Sequence, residues 1–153
     1  MLRVVGDGSC FYHALLCALL YEELPRPLPR APVHFDEASV NRARRLLLRC
    51  YALSLDDADE TARQVLLADA PAAAPLEERL SVRGLACAPS HYATEAEVML
   101  AARAFDACVE VRHPTGHVCF FPDLTCRPGR APSGLRTLRL RCAAEHYDAV
   151  VAA

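Results

Sequence analysis

Residues 9–23 leave almost no polar face for solvent. Phe11, Ala14, Leu15, Leu16, Ala18, Leu19 and Leu20 sit nearly all round a helix of that length, with Ser9 placed to cap its start. Such a helix is stable only inside a core, so the remaining chain must cover it on every side. Its first turn carries a cysteine, in the run Asp7-Gly8-Ser9-Cys10-Phe11-Tyr12-His13-Ala14. At a helix N-terminus, unpaired N–H groups and the helix dipole favour a thiolate, the nucleophilic form of cysteine. Gly8 lets the backbone approach closely, so the N–H groups of the Asp7-to-Cys10 turn can face a developing oxyanion.

A second block lies at the far end, Glu145-His146-Tyr147-Asp148-Ala149-Val150. His146 opens a strand, and alternate residues of a strand share a face, so Asp148 can orient its imidazole. Cys10, His146 and Asp148 then supply nucleophile, base and orienter in that chain order. Asp7 is the alternative orienter. Of the other histidines, His13 lies one turn beyond Cys10 and is not expected to reach back, whereas His91 sits in an irregular loop over residues 84–93. The bland reading of eight cysteines is small buried hydrophobes, and Cys17, Cys50, Cys108 and Cys142 are read that way. A competing zinc site would draw on His113, His117, Cys119 and Cys126, but their spacing matches none of the common patterns. No metal and no other cofactor is expected.

Between the two blocks, residues 24–33 hold four prolines and form a surface loop. Helices are predicted over 36–53, 57–69 and 76–82. In the first of these, Val40, Leu47 and Tyr51 face inward, and Arg42, Arg44, Arg45 and Arg49 form a solvated stripe. Thr94 and Glu97 make a capping box for a further helix that buries Val98, Ala101, Ala102 and Phe105. The period then changes to that of strands, at 107–112, 117–121, 135–141 and 146–151, with a turn at Pro114-Thr115-Gly116 and a Pro/Gly-rich loop over 123–134. Helices first and strands afterwards indicate an α+β fold, one domain over residues 1–153.

The two end blocks resemble those of the ovarian tumour (OTU) family of cysteine proteases, most of which are deubiquitinases. A middle block is matched by Tyr92-Ala93-Thr94-Glu95-Ala96-Glu97, with Tyr92 where the family usually has Trp. The resemblance spans Asp7 to Val150. It implies a papain-like fold with a central, mostly antiparallel sheet flanked by helices, and hydrolysis of (iso)peptide bonds at the C-terminus of ubiquitin or a ubiquitin-like modifier. It places Asp7 in the oxyanion loop and the 84–92 loop beside the cleft. Substrate contacts are expected from Gly8, Ser9, His91, Tyr92, Tyr147 and Glu95, with Glu97 a further acidic group for the basic tail. A non-catalytic ubiquitin-binding module of the same fold is the alternative. The family normally carries more chain before its cysteine block, so the resemblance implies a compact or trimmed member.

Composition narrows the setting. A net charge of −2 without a basic tract gives no reason to propose nucleic acid, and no apolar run reaches the ~18 residues that span a bilayer. With no secretory signal, reduced thiols, a cytoplasmic location and a monomer are expected. All 17 basic residues are arginine. Lysine-free chemistry would protect an enzyme of ubiquitin conjugates from its own modification, but a GC-rich genome is the better account, since Ile and Trp are absent too. A small skewed domain also fits a virus-encoded or effector protein acting on host conjugates and host immunity.

Overall fold

The apolar run folds as α1, Cys10–Leu19, with eight of its ten side chains buried. The computed structural model describes residues 1–24, 26–55, 60–67, 74–121 and 134–151. Helix α1 is shorter than its pattern predicts because Tyr21–Glu23 tightens into a 3₁₀ turn. Pro25 follows, and proline disfavours helical backbone at the residue before it. A tertiary contact closes the end of α1: Arg136 donates to the carbonyls of Leu19 at 2.6 Å and Ala18 at 3.3 Å, a cation where the helix dipole is negative.

Helix α2 spans Glu37–Leu55, α3 Glu60–Leu67 and α4 Leu76–Ser81. Helix α5, Glu95–Ala104, starts with the predicted capping box: Thr94 accepts from the Ala96 amide at 3.3 Å and the Glu97 carboxylate accepts from the Thr94 amide at 2.9 Å. Glu97 is thus not a free acidic contact. It is buried and holds Arg79 of α4 through Nε at 2.6 Å and a terminal nitrogen at 2.8 Å. Arg44 corrects the solvated stripe on α2. Arg42, Arg45 and Arg49 are exposed, but Arg44 is turned into the core at 1% exposure.

Strands β1 (Ala107–Arg112), β2 (Val118–Phe121), β3 (Arg136–Ala143) and β4 (His146–Ala149) form one sheet in the order β2-β1-β3-β4. The β1–β2 and β3–β4 pairs are antiparallel, and β1–β3 is parallel, with Val109 opposite Leu138. Central β1 is buried from Ala107 through Val111. In β3, Leu138 and Leu140 are buried and Arg139 is exposed, the predicted alternation. Helix α1 packs on β3 and β4, α5 on β1, and α2 on α4 and α5. This is an α+β fold. The predicted lead-in at residues 1–5 is tied on both sides, as Leu2 bridges Ala149 and Val4 bridges Val33. No helix among the described residues is long and apolar enough to cross a membrane. Of the predicted loop at 123–134, all but Gly134 lies outside the described residues, as does Cys126.

Candidate active site

Packing α1 against β4 brings the two ends of the chain together. Cys10 opens the helix, and the first intrahelical bond runs from the His13 amide to the Ser9 carbonyl at 3.1 Å. The amides of Cys10, Phe11 and Tyr12 therefore lack a carbonyl acceptor in the preceding turn of the helix, and that of Phe11 is bonded to the Cys10 sulfur. The Cys10 thiol is buried, and its hydrogen bond goes to the Glu145 carbonyl at 3.8 Å. Burial pushes its pKa up, while the Tyr147 and Phe11 amides pull it down, and the Asp7 carboxylate raises it further. Burial thus works against the resting thiolate expected from the helix N-terminus.

Glu145 reaches Cys10 because of an unusual turn. The pair Ala143–His146 closes the β3–β4 hairpin around two residues, Ala144 (φ 49°) and Glu145 (φ 64°). Two-residue hairpins favour this left-handed backbone, but without glycine it costs about 1–2 kcal/mol per residue. Directly after it, His146 projects from the first position of β4. Its Nε2 lies 3.3 Å from Asp148 Oδ1, which also accepts from the Val4 amide at 3.1 Å. The network assigns the proton to Nε2, so the Nδ1 lone pair is free. That side of the ring faces Gly6, where a side chain would come within 3.6 Å of Nδ1. Asp148 is buried, and His146 is partly exposed.

Asp7 serves a different pair of donors. Its Oδ1 accepts from the Ser9 amide at 2.9 Å and its Oδ2 lies 3.1 Å from His13 Nε2. His13 thus reaches past Cys10 after all, because the turn folds Asp7 back over the first turn of α1. Its Nδ1 accepts from the Phe35 amide at 3.1 Å, so Nε2 carries the proton and donates to Asp7. Burial lowers the His13 pKa, against the raising effect of Asp7. His34 Nε2 stands 3.9 Å from the same carboxylate, giving a cluster of two imidazoles and one carboxylate. A cation there would need a lone pair on His13 Nε2, which the Phe35 bond denies it, so the donor set does not fit a metal. At the hairpin proposed as the competing zinc site, the His113 and His117 rings lie 5.9 Å apart and Cys119 is buried.

The cysteine turn is also latched to the 84–92 loop. Gly8 (φ +88°) packs so closely on Cys87 that a side chain would lie 2.9 Å from its backbone. The Cys87 thiol donates to the Gly8 carbonyl at 2.8 Å. Ser9 is fully buried; its hydroxyl donates to the Leu85 carbonyl and accepts from Arg44 at 2.7 Å. Ser9 therefore holds the loop through its side chain, and its amide and carbonyl are engaged by Asp7 and His13, so it departs from the substrate contact expected of it. His91 lies between the Ser90 hydroxyl and Glu78, each 3.2 Å away. Tyr92 follows, partly exposed, and Glu95 is exposed. Tyr147 departs from its expected place in the channel wall: its ring is buried edge-on against Phe11, 5.2 Å between centroids. Arg44 and Cys87 were missed as site residues because both reach the turn through contacts distant in sequence. The helical position of Arg44 beside buried Val40 and Leu47 was the available signal.

The sequence matches no protein-family model and no curated protein. Solved structures do resemble it. The OTU domain of OTUD1 superposes with a TM-score of 0.58 at 16% identity, over 98% of this chain and 83% of that one. The OTU domain of Hazara virus, solved bound to ubiquitin, gives 0.53 at 19% identity, over 99% and 81%. The viral OTU domain protease from Taggert virus gives 0.53 at 17% identity, over 97% and 76%. The chain has the OTU fold.

Proposed function

Because the OTU fold packs the helix that Cys10 opens against the strand of His146 and Asp148, we propose that the protein is a cysteine isopeptidase. It releases ubiquitin, or a ubiquitin-like modifier, from amine conjugates. The observation that carries this reading is the His146–Asp148 pair, 3.3 Å apart, on the strand packed against the helix that Cys10 opens. Two groups support the substrate class: the fold, and the ubiquitin held by one structural neighbour of the same fold.

In the proposed cycle, His146 Nδ1 takes the Cys10 proton as sulfur attacks the carbonyl of the modifier's last residue. Asp148 holds the imidazolium through Nε2–H. The oxyanion is met by amides at the start of α1 and the turn before it, that of Cys10 among them. Collapse expels the amine, which takes the proton from His146 and leaves a thioester on Cys10. Water, deprotonated by His146, then adds to the thioester and frees the carboxylate and the thiol. Substrate entry has one task first: moving the Cys10 proton from the Glu145 carbonyl toward His146. Hydrolysis of an amide-linked fluorophore at the ubiquitin C-terminus tests the reading. Turnover by wild type that is lost in Cys10→Ala and His146→Ala supports it; equal release by all three overturns it.

The thiol bonded to Glu145, with its raised pKa, favours one second reading, a ubiquitin-binding module without turnover. On that reading Cys10→Ala binds ubiquitin as wild type does, and wild type hydrolyses nothing.

A further inference from the structure

Burying a guanidinium is expensive, and a carboxylate usually accompanies it. Arg44 is 1% exposed, yet among the described residues no carboxylate pairs with it. Its acceptors are neutral: the Ser9 hydroxyl at 2.7 Å, the Gly84 carbonyl at 2.5 Å and Asn41 Oδ1 at 3.5 Å. Its plane lies over Tyr12, 4.7 Å from the ring centroid, and its Nε–H has no partner among the described residues. A stability role alone explains this poorly, since an apolar residue on α2 would fill the site without a buried charge. The position of the contacts explains it better. One arm of the guanidinium holds the residue before Cys10. The other holds the first residue of the loop expected to line the cleft.

We infer that Arg44 is a positioning residue, joining the Asp7–Cys10 turn and the 84–92 loop into one unit, so that a substrate tail seated on that loop sets the amides facing the oxyanion. The inference rests on the reading above as an isopeptidase. The planar fork is the essential property: its two arms reach Ser9 and Gly84 at once, which a lysine ammonium on a flexible stem does not reproduce. Gly8 and Cys87 continue the same seam, with the thiol of Cys87 on the Gly8 carbonyl. The amide of Ser9 is fixed from the other side by Asp7. A turn held from three directions presents its N–H groups without reorganising during the reaction, which is where such donors gain their effect.

The test compares Arg44→Lys, Ser9→Ala, the double variant, and Arg45→Lys as an exposed control. Turnover of a ubiquitin C-terminal fluorogenic amide is measured alongside hydrogen–deuterium exchange of the free protein. Arg44→Lys is expected to lower kcat by about 100-fold, the scale of a 1 Å misplacement, with KM within about threefold. The double variant should fall by less than the two single losses combined, because both remove the Arg44–Ser9 contact. Exchange should rise in residues 6–12 and 84–88 together, with Arg45→Lys matching wild type throughout. Unchanged kcat in a folded Arg44→Lys variant overturns the inference. So does faster exchange confined to α2. If wild type itself fails to turn over, the isopeptidase reading fails, and the exchange result still decides whether Arg44 joins the two segments.

Discussion

Gly8 shows how tightly single residues specify this site. Its φ of +88° disfavours any side chain, and a Cβ would meet the Cys87 backbone at 2.9 Å. Gly8→Ala should therefore destabilise by about 1–3 kcal/mol in urea titrations and slow alkylation at Cys10. An unchanged midpoint would show that the turn relaxes freely. Asp148→Ala should reduce turnover by about 1,000-fold, since it frees His146 to rotate and leaves its cation unsupported. Asp7→Ala should act on the turn instead, releasing the Ser9 amide, so its loss should accompany faster exchange over residues 6–12. That Cys10 opens a helix and that His146 and Asp148 share one face of a strand was readable because a glycine turn, a helix start and strand alternation are local rules. That His13 binds Asp7, and that Arg44 turns inward, were not. Both depend on a turn folding back and on a helix meeting a loop 40 residues away.

At the scale of elements, the capping box at Thr94 was legible because both partners lie within one turn. Its extension was not, since Arg79 joins from another helix. Arg79 and Glu97 are each 1% exposed and paired through two hydrogen bonds. Arg79→Met leaves the Glu97 carboxylate buried without its partner and should cost about 3–5 kcal/mol, read as a shift in urea midpoint at constant m. Arg79→Met/Glu97→Leu should recover part of that loss, though not the Thr94 cap. The same logic explains the early end of α1. The sequence pattern carries the helix to about Glu23, but the chain tightens into a 3₁₀ turn at Tyr21–Glu23 and Arg136 from β3 takes the carbonyls of Ala18 and Leu19. The β3–β4 turn is the converse case. Ala144 and Glu145 carry no turn signature, so the left-handed backbone that delivers a carbonyl to Cys10 follows from the register of Ala143 against His146.

For the whole molecule, composition and order of elements were enough for the α+β class, while the parallel β1–β3 pairing was not, because strand order depends on which faces α1 and α5 cover. Burial of titratable thiols has a global consequence. Desolvation raises Cys17 from 9.0 to about 12, and it also raises Cys10, Cys87 and Cys142. The folded state then holds these protons more tightly than the unfolded chain, and for Cys17 the stabilisation is complete below pH 9.0 and is lost as pH rises toward about 12. The melting temperature should fall across that window, and Cys17→Ala should flatten the fall; a flat profile in the wild type would contradict the burial. The central claim is that a buried thiol at the start of α1 meets the C-terminus of ubiquitin. Its most direct test is intact mass after incubating wild type and Cys10→Ala with ubiquitin bearing a C-terminal electrophile. One ubiquitin should add to wild type, localised to Cys10, and none to the variant. Folded wild-type protein that gains no mass, or a variant that gains as much, would contradict it.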